Sequence, residues 1–297
     1  MQVQANGISL EVERFGAPSG EAVVLIMGLG AQLTRWPRPL CDKLVAKGLQ
    51  VVRFDNRDVG LSTKFDQAGF ANFGAILKAL AAGTPPPIAY SLDDMARDVV
   101  GLLGALEIDR AHVVGASMGG MIAQLVAADH PTRVRSLTSI MSTTANRALP
   151  GPTPEALAVL LGRPPDPRVD LEGYLAFSLN ANKVIGSPGF PMSESMVREA
   201  VTADLARSFS PGGYSRQYGA VIASPDRRSK LKTITCPTVV MHGAADPLIP
   251  VEAGRDTAAN VPNAELRIIE GLGHNLPPQT FDFFVDAIWR AVERSRA

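Results

Sequence analysis

The chain has 297 residues, 46% of them hydrophobic and 20% charged, a composition that excludes wholesale disorder and allows one large domain or two smaller ones. Lys+Arg and Asp+Glu both number 29. A net charge of zero argues against a polyanion as the main partner, so no nucleic-acid role is expected.

Cys41 and Cys236 form no CxxC pair. They offer neither a disulfide framework nor a metal site, and they fit a reducing compartment. The first residues carry neither a basic n-region nor an apolar h-region, and no apolar run is long enough to span a bilayer. The expectation is a soluble, cytoplasmic protein.

The chain opens with two short runs, Gln2 to Ala5 and Ile8 to Glu13, flanking Asn6-Gly7. The second run alternates strictly, and Asn-Gly between such runs signals an antiparallel hairpin with a type I′ turn. Ala22 to Met27 is a continuous apolar run, the pattern of a strand buried on both faces. A helix over about 37–47 and a strand over Leu49 to Phe54 follow. Residues 62–90 form a long excursion with one short helix at Phe73 to Ala81. Ser91 to Leu106 reads as a helix, with Ser91 and Asp94 spaced as a capping box and Met95, Val99, Leu102, Leu103 and Leu106 in one stripe. Strands over Ala111 to Gly115, Val134 to Met141, Thr238 to His242 and Ala264 to Ile269, with helices over Met118 to Asp129 and Phe281 to Arg294, complete the alternation.

Buried strands alternating with helices predict an α/β fold: a mainly parallel sheet with helices on both faces, preceded by the antiparallel hairpin. Between Asn146 and Lys232 the alternation lapses into short helices and Pro/Gly-rich loops. This stretch lies between two core strands and reads as an inserted helical cap. The expected division is a core of residues 1–145 and 233–297 with a cap of residues 146–232.

Gly115-Ala-Ser117-Met-Gly119 fits G-x-S-x-G between a buried strand and a helix, the setting of a nucleophile on a sharp strand-to-helix turn. A serine hydroxyl needs a base. Of the four histidines, His112 lies within a strand, His130 closes a helix before Pro131, and His242 ends a buried strand. His274 lies in Gly271-Leu-Gly-His-Asn275, a loop after the last strand that reaches the carboxyl ends of the strands, and it is the expected base. Asp246, after the penultimate strand, is the expected orienting acid; the competing role for it is a turn before Pro247. The loop after Val134 to Met141, Ser142-Thr-Thr-Ala-Asn146, offers no carboxylate. The backbone N–H groups of Met118, next to the nucleophile, and of Leu29, in the loop Gly28-Leu-Gly-Ala31, are the expected oxyanion donors.

Gly28-Leu-Gly30 also begins like a dinucleotide-binding G-x-G-x-x-G, with Asp55 as the ribose acid. The third glycine is Leu33, however, and Pro37 and Pro39 fall inside the required helix.

Together these residues resemble the α/β-hydrolase superfamily over essentially the whole chain. Asp55-Asn-Arg57-Asp58-Val-Gly60-Leu-Ser62 resembles the family's mainly structural D-x-R-G-x-G-x-S turn, with Asp58 in place of the first glycine. Met27-Gly28 departs from the commoner His-Gly. With the Ser-Met-Gly elbow, the combination is similar to the bacterial branch that includes aclacinomycin methylesterase and related carboxylesterases. The resemblance implies a serine carboxylesterase that hydrolyses a small-molecule ester with water and without a cofactor. A serine nucleophile argues against haloalkane dehalogenases and epoxide hydrolases. Lactonase, perhydrolase and carbon–carbon hydrolase activities share the same triad and stay open. A ligand receptor built on a hydrolase scaffold is the non-enzymatic alternative. Trp36, Leu160, Tyr174, Phe177, Tyr214 and Tyr218 are candidate substrate contacts, each also readable as packing.

Overall fold

The computed structural model describes residues 1–296. Asn6 and Gly7 take φ of 50° and 77°. These are the two positive angles of a type I′ turn, and they join β1 (Gln2–Ala5) to β2 (Ile8–Phe15) in an antiparallel pair. The remaining strands are β3 (Ala22–Ile26), β4 (Gln50–Phe54), β5 (Ala111–Ala116), β6 (Val134–Ile140), β7 (Thr238–Gly243) and β8 (Glu265–Ile269). They form one eight-stranded sheet in the order β1-β2-β4-β3-β5-β6-β7-β8. β2 runs antiparallel to β4, and every pairing from β4 to β8 is parallel.

Parallel strands need crossovers, and the helices that make them cover both faces. On one face α3 (Leu92–Ala105) and α4 (Met118–Asp129) pack with the apolar side of β1 and β2 and with Val24, Ile26 and Val113. On the other, α1 (Arg38–Ala46) and α11 (Phe281–Arg296) enclose Val23, Leu25, Val114 and Met241. The capping box at the start of α3 is present, Ser91 accepting from the Asp94 N–H and Asp94 from the Ser91 N–H. β3, β4, β5 and β7 are buried along their whole length, β3 as its unbroken apolar run requires. β8 is an edge strand, and every residue in it is only half-buried.

The excursion after β4 contains α2 (Phe73–Ala81). Between β6 and β7 the chain leaves the sheet for α5 (Pro154–Leu161), α6 (Leu171–Ile185), α7 (Glu194–Arg207), α8 (Pro211–Ala223) and α9 (Arg228–Leu231). α6 and α7 share a small apolar cluster of their own around Leu175, Val197 and Val201. After β7 the chain forms α10 (Val251–Asn260), on the α3–α4 face through Val261. No described helix is long and apolar enough to cross a membrane.

Candidate active site

Ser117 occupies the turn between β5 and α4 with φ 57° and ψ −121°, a conformation costly for a residue with a Cβ. The neighbours that hold it there are small by necessity. A Cβ on Gly115 would lie 2.0 Å from the Gly119 carbonyl oxygen, and one on Gly119 would lie 2.1 Å from that of Ile26. Ser117 N–H donates to the Ile140 carbonyl at 2.9 Å, and its own carbonyl accepts from Ser142 Oγ at 2.8 Å and from the Gly120 N–H at 2.9 Å. The serine is thereby lifted above the carboxyl ends of β5 and β6.

His274 arrives from the loop after β8. Its Nε2 lies 3.0 Å from Ser117 Oγ, and its Nδ1 lies 2.7 Å from Asp246 Oδ2. An ionised carboxylate can only accept, so Nδ1 carries the proton and the Nε2 lone pair faces the serine hydroxyl. Asp246 is fully enclosed, and its Oδ1 accepts the Leu248 and Ile249 N–H groups at 2.9 Å each. The acid therefore makes the turn expected of Asp-Pro and faces the imidazole at the same time. The other histidines lie elsewhere. His112 is buried against Ser136 Oγ, His130 ends α4, and His242 Nε2 is bonded to the Ile249 carbonyl at 2.8 Å.

The loop after β3 crosses directly over the serine: a Cβ on Gly28 would meet Ser117 Cβ at 3.0 Å. Neither the Leu29 nor the Met118 N–H has an acceptor among the described residues. This loop is held by three consecutive residues of the turn after β4. Asp55 Oδ1 accepts from Leu33 N–H (2.7 Å), and Asn56 Nδ2 donates to the Met27 carbonyl (2.9 Å). The Arg57 carbonyl accepts from Gln217 Nε2 (2.7 Å), and Gln217 Oε1 accepts from Gly30 N–H (2.8 Å). Asp55 thus holds the loop by its carboxylate, in place of the ribose contact that a dinucleotide site would require.

The inserted helices are fastened to this region. Arg207, at the end of α7, reaches Asp55 at 3.0 Å. Arg216, in α8, makes a bidentate pair with Asp58 at 2.7 Å on both bonds, and Tyr90 Oη donates to the same carboxylate at 2.6 Å. Burial pushes the Asp58 carboxyl up, but the hydrogen bonds from Arg216, Tyr90 and the Phe65 N–H outweigh it and leave the group below its ordinary range. At the end of α6, the Ile185 carbonyl accepts the His274 N–H at 2.7 Å, and Ser187 Oγ accepts from the Gly273 N–H at 2.9 Å.

The candidate substrate contacts divide. Trp36 is fully buried in the α1–α11 layer, and this corrects the expectation of a pocket wall: the short turn after the Gly28–Ala31 loop drops its ring under the sheet beside Leu40 and Leu44. Tyr218 packs edge-on to Phe73, and Tyr174 edge-on to Phe209. Phe177 lies against Gly162. Tyr214 is brought to the loop itself, its ring against Gly30 and its hydroxyl on the Leu160 carbonyl at 2.8 Å. Gln217, Asn56 and Ser142 were not signalled by any local sequence pattern. A surface cavity of about 450 Å³ lies beside Asn146, Pro225 and Arg228 and is lined by none of the three residues of the hydrogen-bonded row.

The chain belongs to the α/β-hydrolase fold family, whose model matches residues 21–279. It is 28% identical over 291 residues to rhodomycin D methylesterase DauP of Streptomyces sp. (strain C5), covering 91% of this chain and 90% of that protein. It is 31% identical over 285 residues to 2-hydroxy-6-oxononadienedioate/2-hydroxy-6-oxononatrienedioate hydrolase 1 of Dechloromonas aromatica (strain RCB), covering 92% and 88%. Among solved structures, the meta-cleavage product hydrolase CumD of Pseudomonas fluorescens IP01 superposes with a TM-score of 0.74 at 20% identity, covering 99% of this chain and 98% of that one.

Proposed function

We propose that the protein is a carboxylic ester hydrolase working through Ser117, His274 and Asp246. The observation that carries this reading is the continuous row from Asp246 Oδ2 through His274 to Ser117 Oγ, at 2.7 and 3.0 Å. Both spacings lie in the range for a nucleophile, its base and the group that orients the base. The similarity to a methylesterase supports an ester as substrate.

In this reading Ser117 Oγ attacks the ester carbonyl while His274 Nε2 takes its proton. Asp246 stabilises the imidazolium. The carbonyl oxygen, now negative, is received by the Leu29 and Met118 N–H groups, which have no other acceptor among the described residues. Collapse expels the alcohol, protonated by His274, and leaves an acyl-Ser117 ester. Water then enters, gives a proton to His274 and releases the carboxylic acid by the reverse sequence. Residues 146–232 act as a cap over this site, with the Tyr214 ring packed on Gly30 of the oxyanion loop.

The experiment is turnover of a short-chain aryl ester together with labelling by an organophosphonate. Many products per protein and a single label on Ser117 are expected. At most one product per protein would mean a receptor, and a label on another serine would overturn the assignment. A lactone and a vinylogous 1,5-diketone acid belong in the same panel, because an enol-lactonase and carbon–carbon hydrolases are also among the relatives. A kcat/KM higher for either than for every ester would replace the ester reading while keeping the same three residues.

A further inference from the structure

The four residues of the loop over Ser117 close as a turn. Ala31 N–H donates to the Gly28 carbonyl at 3.3 Å, and Gly30, in the third position, has φ 67°. That angle at that position marks a type II turn. The N–H at the centre of such a turn, here that of Gly30, points away from the turn and needs an acceptor of its own when it is covered. Tyr214 covers it: a Cβ on Gly30 would meet the Tyr214 ring at 2.5 Å. The acceptor is Gln217 Oε1 at 2.8 Å, from α8 of the insert.

Gln217 is completely buried, and its Nε2 donates to the Arg57 carbonyl at 2.7 Å. One side-chain amide therefore links the loop over the serine to the turn after β4. The task requires a group that accepts on one side and donates on the other. An amide does both; a carboxylate lacks the donor, and an aliphatic chain lacks both functions. The neighbouring residue, Arg216, fixes the axial position of α8 through its two bonds to Asp58.

We propose that Gln217 is a positioning residue for the oxyanion, tying the Gly28–Ala31 turn to the Arg57 carbonyl so that the loop bearing the Leu29 N–H keeps its place above Ser117. The inference rests on the reading of Leu29 as an oxyanion donor. Types I and II differ only by rotation of the central peptide, here Leu29 C=O–Gly30 N–H, and share the orientation of the peptide that carries the Leu29 N–H, so Gln217 acts on where the whole turn sits and not on its type. Capture of the Gly30 N–H by Gln217, itself bonded to the Arg57 carbonyl, opposes displacement of the turn as a unit. Donors contribute to catalysis to the extent that they need not reorganise during the reaction. A loop free to shift would still bind the uncharged ester and would serve the charged intermediate less well.

The test compares wild type, Gln217→Met and Gln217→Glu, each checked for folding by its melting temperature before kinetics. The probes are a short-chain aryl ester and a trifluoromethyl ketone that forms a tetrahedral adduct with the nucleophile. For Gln217→Met the expected result is a fall in kcat of about 10–100-fold, somewhat less than loss of an entire donor, with KM moving by less than about threefold. Affinity for the trifluoromethyl ketone should weaken in parallel with kcat/KM. Gln217→Glu keeps an acceptor for Gly30 and should lie between the two. If the methionine variant does not fold, Gln217→Leu takes its place.

A kcat within about twofold of wild type in a folded variant, or a loss carried wholly by KM, would overturn the proposal. So would Gln217→Glu falling as far as Gln217→Met. Failure of the underlying hydrolase reading looks different: wild type would neither turn over the ester nor label at Ser117.

Discussion

Asp246 and His242 face each other at 3.6 Å, the same carboxylate oxygen lying 2.7 Å from His274. His242 forms no hydrogen bond to this oxygen because its Nε2–H is already given to the Ile249 carbonyl. Burial pushes the His242 imidazole down from its ordinary value, with Asp246 opposing, so the ring stays neutral beside the acid. The two histidines of this corner should therefore behave differently. His274→Gln is expected to lose on the order of 10⁴ or more in kcat, and His242→Gln to keep most of it. Asp246→Asn retains the Oδ1 bonds to Leu248 and Ile249 and should fold normally, yet it presents an NH₂ to Nδ1 and favours the wrong tautomer. A loss of about 10⁴ in kcat is expected. Steady-state kinetics with melting temperatures check all three. Near-wild-type activity in Asp246→Asn would reduce the acid to a turn residue.

Ser117 gives a second prediction, in which stability and activity separate. Its φ of 57° is a cost that alanine retains and glycine avoids. Both Ser117→Ala and Ser117→Gly should lose about 10⁴–10⁶ in kcat. The glycine variant should be the more stable of the two by about 1 kcal/mol, because relief of strain exceeds the extra backbone entropy of the unfolded chain. Urea midpoints of the pair measure the difference, and an alanine variant as stable as the glycine variant would show that the turn carries no strain.

The Asp58–Arg216 pair is enclosed on both sides, with side-chain exposures of 0% and 2%. Removing one partner leaves a buried charge. Arg216→Met is therefore expected to cost about 3–5 kcal/mol. The double change Asp58→Gly/Arg216→Met should recover part of that loss: glycine adopts the φ of 71° at residue 58 freely and the buried charge is gone, while the Tyr90 hydroxyl and the Phe65 N–H lose their acceptor. The pH dependence follows from the depressed carboxyl. Its contribution is complete above the unfolded value of about 3.9 and is lost as pH falls through the lower folded value. Denaturant midpoints at neutral pH and near pH 3 test both points; additive single and double changes would show that the pair is not coupled.

His112 supplies a pH effect of a different origin. Burial pushes it down to about 4, with Glu21 opposing. Its Nε2 has no hydrogen-bond partner among the described residues, and the Glu21 carboxylate stands off at 3.9 Å, so a second proton would arrive without an acceptor within hydrogen-bond reach. Below the unfolded value of about 6.5 the unfolded chain takes up a proton that the folded chain refuses, so stability declines as pH falls toward 4. The slope attributable to this group approaches 1.4 kcal/mol per pH unit. His112→Gln should flatten the decline between pH 6.5 and 5 in urea titrations. Parallel declines for wild type and variant would place the effect elsewhere.

What the sequence made legible was local. The Asn6-Gly7 turn, the Ser91/Asp94 box and the glycines around Ser117 each carry their reason within a few residues, and each has the expected form. The positions of His274 and Asp246 followed from strand order, because the ends of parallel strands converge on one edge of the sheet. The contacts between the insert and the loop over the serine were not legible. Gln217 lies 187 residues from Gly30 and 160 from Arg57, in a stretch without strand–helix alternation. Asp58 was visible as a departure from the family turn, but nothing near it in the chain announced Arg216 as its partner. Trp36 misled because closeness in sequence to Leu29 gave no information about which side of the sheet its ring would occupy.

The hold that Asp55, Asn56 and Arg57 exert on the stretch from Met27 to Leu33 bears on how such a centre could be moved to another scaffold. Transplanting Ser117, His274 and Asp246 with their loops would carry over the reacting groups but leave the Leu29 amide without its moorings. The smallest portable unit also contains the turn after β4 and one face of α8, two pieces separated by some 160 residues in the chain. A recipient lacking α8 would need a substitute for the single buried amide that joins them. The inserted stretch that reads as a cap between two strands thus carries one of the side chains that hold the loop over Ser117.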